Sequence, residues 1–184
     1  MSIADEPNVK TKLTYDHYVL FPSDGMRHEI IDGRHHMNPA PSPWHQTASR
    51  RIQFQLYEQI ELTGRGQVFN APIDLQLSET DVVQPDILVV LNDNDIILEN
   101  RIHGVPELVI EILSPSNRRY DQELKRALYQ QSGVPEFWIV DGDADVVEQC
   151  ALNANGEYEV TACHEEIRSS GVDALVDLKT VWER

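Results

Sequence analysis

The chain has 184 residues, 41% of them hydrophobic and 25% charged, an ordinary globular composition and enough length for one well-covered core. Its formal net charge of -16 argues against broad, nonspecific affinity for nucleic acid, since such binders usually present a basic patch that displaces counterions from phosphate. No stretch approaches the ~20 apolar residues of a membrane span, and Met1-Ser2-Ile3-Ala4-Asp5-Glu6-Pro7 has neither the basic start nor the apolar stretch of a secretory signal, so a cytoplasmic location is expected. Cys150 and Cys163 lack a zinc spacing and are expected to be reduced and structural.

Residues 1–12 are polar and read as a flexible N-terminal tail, with residues 13–184 forming a single domain. Thr14 caps a short helix that stops before Pro22. His28 to Arg34 reads as a strand entering an Asp32-Gly33 turn, with His35 to Asn38 returning as a hairpin. Ser42-Pro43 is a helix start, because serine caps free amides and proline fits the first turn. Ile52, Leu56 and Ile60 follow at helical spacing, and Gly64 or Gly66 closes the segment.

Val68 to Leu77 is extended and interrupted near Pro72. The runs Ile87 to Leu91 and Leu108 to Leu113 are continuously apolar, as strands covered on both faces are, so they should be central. Ser114 to Asn117 closes the second run and opens a helix with the stripe Tyr120, Leu124, Ala127 and Leu128, ending at Gly133. Phe137 to Val140 is a further buried strand, then come Val146-Val147 and Tyr158 to Val160 around an Asn155-Gly156 turn, and a packed ending from Leu175 to Trp182. This order gives an α/β fold with a mixed central β-sheet flanked by helices.

Two carboxylates interrupt the apolar runs. Asp86 immediately precedes one, and Glu111 lies inside the other. An isolated buried anion costs several kcal/mol unless a cation or hydrogen bonds offset it. A shared cation between Asp86 and Glu111, with Glu29 as a third strand-borne acid, satisfies both at once. Oxygen-only surroundings suit Mg²⁺ or Mn²⁺. The plainer alternatives are a solvent-facing Asp86, a simple ion pair between Glu111 and Lys125 or an arginine, and an exposed Glu29.

The segments Glu29-Ile30-Ile31-Asp32-Gly33, Ser42-Pro43-Trp44-His45, Val83-Gln84-Pro85-Asp86, Leu108 to Ser116, then Asp121, Lys125 and Tyr129, and finally Gly133 to Asp141 resemble the Uma-two family of restriction-endonuclease-like proteins, over about residues 14 to 182. The resemblance implies a restriction-endonuclease-like core of the PD-(D/E)XK type. Pro85-Asp86 supplies its first motif and Glu111 the acid of the next strand, and the carbonyl of Ile112 joins Asp86 and Glu111 around the metal. Such ions activate water and neutralise charge as a phosphodiester is cleaved. The lysine of that pattern falls at Leu113, which can neither orient water nor stabilise negative charge, and Lys125 on the following helix is the substitute. Its plainer alternative is an exposed pair with Asp121.

The expectation is therefore a Mg²⁺- or Mn²⁺-dependent, homodimeric endonuclease acting on DNA, with Asp86, Glu111, Lys125 and Glu29 as catalytic residues. Its rivals are an inactive dimeric binding module of the same fold and a metal-dependent hydrolase of another substrate. Arg50-Arg51 and the run from Arg118-Arg119 to Lys125-Arg126 are the candidate basic stripes. Asp141 to Asp145 imitates a calcium loop but has Val146 and Leu152 at its sixth and twelfth positions, so it reads as a polar turn. His28, His35 and His36 have no zinc-binding helical spacing, and His45 shares a helix face with Ile52 and Leu56.

Overall fold

The structure is a computed structural model that describes residues 12–38, 41–114 and 120–183, and the side chains of 120–122 are left aside. Residues 1–11 of the expected tail, Pro115 to Asn117 of the expected helix opening and the basic pair Arg118-Arg119 lie outside the described residues. A short helix α1 (Tyr15–Tyr18) precedes the hairpin of β1 (Arg27–Ile31) and β2 (Arg34–Asn38). Asp32 and Gly33 between them have φ of 50° and 70°, the mirror-image turn that matches the twist of paired strands. Helix α2 (Pro43–Leu56) starts where Ser42 Oγ accepts from the amide of His45 (3.2 Å) and runs on into a wide π-helical turn over Tyr57–Glu61.

Strands β3 (Gly66–Asn70), β4 (Leu75–Ser78), β5 (Asp81–Val83), β6 (Ile87–Leu91), β7 (Ile102–His103) and β8 (Leu108–Ile112) follow. A second wide turn (Tyr120–Lys125) leads into α3 (Arg126–Gln131). Then come β9 (Glu136–Asp141), β10 (Val146–Leu152), β11 (Tyr158–Cys163), β12 (Glu166–Ser169), β13 (Ala174–Asp177) and α4 (Leu178–Trp182).

The central sheet is mixed, in the order β11-β10-β9-β8-β6-β3, with β8 parallel to β9 and the other pairs antiparallel. The two apolar runs are at its middle, as their continuous hydrophobicity requires. One face packs Ile87, Val89, Ile110, Trp138 and Val140 beneath Ala48, Ile52 and Leu56 of α2 and Val181 of α4. The other packs Leu88, Val90, Val109 and Ile139 against Leu128 and Tyr129 of α3 and against a second sheet through Ile31, Leu75 and Val83. That second sheet, in the order β2-β1-β5-β4-β7, is an addition to the expected architecture. Strands β5 and β7, of three and two residues, are too short to show a periodicity.

Helix α2 is fixed to the sheet by close contact at its start. A Cβ on Gly142, in the turn after β9, would fall 2.0 Å from ring atoms of Trp44. Gly142→Ala is expected to lower stability by roughly 1–3 kcal/mol through overpacking, read by equilibrium urea unfolding.

A buried charge cluster between two sheets

The candidate residues meet on one face. Ile87 pairs with Ile110 and Leu88 with Val109, so one further step of the same register sets Asp86 opposite Glu111. Val109 and Leu113 flank Glu111 in the cluster on the second sheet's side, and Leu88 and Val90 continue the alternation from Asp86. Both acids therefore face the second sheet, from which β1 contributes Arg27 and Glu29.

Asp86 is buried and accepts three hydrogen bonds. Arg27 Nη1 donates to Oδ1 (2.8 Å), while His45 Nε2 (2.9 Å) and the Ile112 amide (2.9 Å) meet Oδ2. Burial alone would raise its pKa. The hydrogen bond and charge of His45, the charge of Arg27 and the Ile112 amide outweigh burial and hold it down to about 2. For Arg27, burial would lower the pKa, but the charges of Asp86, Glu111 and Glu29 win and raise it. One guanidinium thus feels all three acids.

Lys125 is only 1% exposed and sits between the other two carboxylates, where Nζ donates to Glu111 Oε1 (2.8 Å) and to Glu29 Oε1 (2.9 Å). Tyr129, one helical turn later, donates its hydroxyl to the same Glu111 oxygen (2.7 Å). Glu29 is fully buried and also accepts from the Gln84 amide (2.8 Å) and from Asn38 Nδ2 (2.6 Å). Of the plainer alternatives, a solvent-facing Asp86, an exposed Glu29 and an exposed Lys125 do not hold, whereas the ion pair between Glu111 and Lys125 is present.

The structure also revises the premise that led to these acids. Among the described residues their charge is offset by Arg27 and Lys125, and no three His, Cys, Asp or Glu side chains group closely enough to hold a metal ion. The donor set expected for Mg²⁺ or Mn²⁺ remains chemically suitable, being two carboxylates and the carbonyl of Ile112. A carboxylate has about four acceptor sites, and the three hydrogen bonds to Asp86 leave one open.

Arg27 carries no signal in the sequence, since its role arises from how β1 lies against the start of β6. His45 carries a partial one, because it shares the apolar face of α2 with Ala48, Ile52 and Leu56. Tyr129 was legible only as part of the family pattern. Of the candidate basic stripes, only Arg50-Arg51 and Lys125-Arg126 fall among the described residues. Arg51 is tied to the carbonyls of Val181 and Glu183, Arg126 pairs with Glu148, Lys125 is buried, and Arg50 stays exposed. His28 is buried, stacked on His35 and bonded to Asp24 (3.0 Å).

An α/β fold whose mixed sheet brings a Pro-Asp acid, a second strand acid and a lysine to one face is that of a restriction-endonuclease-like protein. The sequence matches the Uma2 family, described as "Putative restriction endonuclease", over residues 15–180, and the chain belongs to that family. Among solved structures, the crystal structure of "a putative nuclease belonging to DUF820" from Anabaena variabilis matches with a TM-score of 0.78, covering 92% of this chain and 97% of that one at 17% identity. At that identity the likeness is one of fold. No curated protein matches.

Replacing Lys125 by methionine leaves two buried carboxylates without their cation. Lys125→Met is expected to lose about 3–5 kcal/mol in urea unfolding, and adding Glu29→Gln and Glu111→Gln should recover part of that loss. Failure of the added substitutions to recover any of it would assign the loss to packing.

Proposed function

We propose that the protein is a divalent-metal-dependent endonuclease that hydrolyses DNA phosphodiester bonds, with residues 13–184 acting as one nuclease domain. One observation carries the reading. Lys125 Nζ lies within hydrogen-bond distance of both Glu111 and Glu29, on the face where Asp86 opposes Glu111. A lysine thus reaches the acid pair from the helix although Leu113 occupies the strand position of the motif.

In this mechanism Asp86, Glu111 and the Ile112 carbonyl would hold Mg²⁺ or Mn²⁺. The bound ion would supply an activated water and charge neutralisation at the phosphate. Lys125 stabilises negative charge as it develops on the phosphate oxygens. Glu29 fixes the ammonium group in place through its own bonds to the Gln84 amide and Asn38. Tyr129 and Lys125 together set the orientation of Glu111. A homodimer would bring two such sites to the two strands of a duplex.

A second reading is an inactive dimeric binding module. It is favoured by Leu113 and by the engagement of Lys125 with two carboxylates, which lowers its availability to a phosphate. Incubation with Mn²⁺ or Mg²⁺ and both plasmid and single-stranded DNA separates the two. Cleavage by the wild type that falls at least about 100-fold in Asp86→Asn, Glu111→Gln and Lys125→Met supports the enzyme. Metal binding with no turnover of any DNA supports the module. Metal binding itself is read by thermal shift, since Mn²⁺ at about 100 times its Kd is expected to add about 2.7 kcal/mol of stability, and Asp86→Asn should abolish the gain.

A further inference from the structure

The two ends of the central sheet differ. Strand β3 closes one end: its register with β6, fixed by Ala71 N donating to Asp86 O (3.0 Å), turns the amide of Val68 outward, where Glu61 Oε2 accepts from it (3.1 Å). Strand β11 forms the other end. Asn153 N donates to Glu157 O (2.9 Å) at the start of this pairing, so the backbone groups of Glu159, Thr161 and Cys163 face β10 and those of Tyr158, Val160 and Ala162 face outward. Gln130 Oε1 takes the outward amide of Tyr158 (3.1 Å). Further along, the N–H and C=O groups of Val160 and Ala162 meet no partner among the described residues.

Strand β11 lacks the usual protections of a bare edge. Tyr158–Cys163 holds no proline, lysine or glycine, its pairing with β10 runs without a bulge, and residues 159–162 are all exposed, Val160 by 49%. Such an edge is a template for another strand, and its own sequence fits it under a two-fold axis. With the Thr161 residues of two copies opposite each other, Val160 of each lies opposite Ala162 of the other, and the hydrogen bonds between them engage all of these open groups while Tyr158 keeps Gln130. No like charges meet. Glu159 falls opposite Cys163, and the two Glu159 carboxylates stand about 14 Å apart along the strands, beyond the ~8 Å over which salt leaves charges in contact.

We propose that β11 is the self-association edge of this protein, where two copies join their central sheets antiparallel about a two-fold axis. Closure favours a second copy as the occupant. With the Val68 amide at the β3 end already held by Glu61, pairing of β11 with itself uses the open edge and stops at two copies instead of growing into a filament. A foreign peptide added to a sheet takes its specificity from side-chain pockets beside the edge, whereas Val160, Thr161 and Ala162 are short side chains that leave specificity to the register. A strand pair is a small contact, so the dimer is weak, and because each copy has a net charge of -16 it tightens as salt is added. This gives a surface to the homodimer proposed above and is independent of the chemistry at Asp86.

Sedimentation velocity of the full chain at about 100 µM, in about 0.15 M and about 0.5 M salt, tests it. A dimer is expected, more populated at the higher salt. Thr161→Lys sets two ammonium groups against each other across the axis, and Val160→Pro removes an outward N–H that the pairing with β10 does not use. Each is expected to weaken association at least about ten-fold, with the melting temperature of Thr161→Lys close to wild type. In a Cys163→Ser background, Thr161→Cys is expected to form an intermolecular disulfide under mild oxidation, since facing residues of a non-hydrogen-bonded pair lie about 4.5 Å apart at Cα, within disulfide range. Asn155→Cys, in the hairpin turn, should not. A monomer at both salt concentrations, a dimer unchanged in the folded variants, or equal cross-linking at positions 155 and 161 overturns the proposal, as does a monomer whose Val160 and Ala162 amides resist hydrogen exchange because another segment of the chain covers them. A dimer that hydrolyses no DNA keeps this surface and sinks the enzyme, whereas cleavage by a monomer keeps the enzyme and sinks the surface.

Discussion

The structure depends on two ion-paired links between its sheets. Lys125 joins Glu29 of the second sheet to Glu111 of the central one, and Arg27 of the second sheet is bonded to Asp86 at the start of β6. In the second link the Asp86 carboxylate is buried while the Arg27 side chain is 22% exposed, and the Lys125 link is fully buried. There attraction is stronger than at a surface, and the loss of one partner is correspondingly costly. Apolar packing of Ile31, Leu75 and Val83 against Leu88 and Val109 brings the two sheets together without selecting a single alignment. The charge pairs add direction, because an ammonium or guanidinium group reaches its carboxylates over a narrow range of positions.

The same links account for the route by which a lysine reaches the acids. Leu113 follows Val109 and Glu111 on the face covered by α3 and the second sheet, and it is itself buried there. With an aliphatic side chain at that position, the sheet gains core contact and loses its own cation. The wide turn before α3 supplies one instead, and Tyr129 comes one turn later to the same carboxylate oxygen. Strand and helix exchange roles while the charge arrives at the same acid.

The elements that were legible in the sequence are those with strong local signals. The continuous runs of β6 and β8, the Asp32-Gly33 turn, the Ser42-Pro43 helix start and the Asn155-Gly156 hairpin each follow from rules acting within a few residues. The second sheet was not legible as a sheet, because β5 and β7 are defined by their neighbours rather than by any pattern of their own. The acids of the site stood out because an apolar run surrounds Glu111 and adjoins Asp86. Of their protein partners, Lys125 was legible as a partner of Glu111, whereas its bond to Glu29, 96 positions away, and the pairing of Arg27 with Asp86, 59 positions away, were not.

Glu136 shows what a buried acid by itself implies. It is as buried as Glu111 and opens an apolar strand, yet its oxygens are met by Trp138 Nε1 (2.6 Å), Gln149 Nε2 (2.6 Å), Ser169 Oγ (2.8 Å) and the Gly171 amide (3.3 Å). These uncharged donors fill the roughly four sites a carboxylate offers and fasten β12 and its turn to β9 and β10. Burial of a carboxylate therefore does not distinguish a fastening from a site. What distinguishes the cluster around Asp86 is its setting: the acids there draw protein cations across an interface, and one of them borders a cavity. A cation entering there would meet Arg27, which already offsets the charge of Asp86, beside the open acceptor site of that carboxylate. Any metal affinity there would be set by the same electrostatic balance that positions that guanidinium.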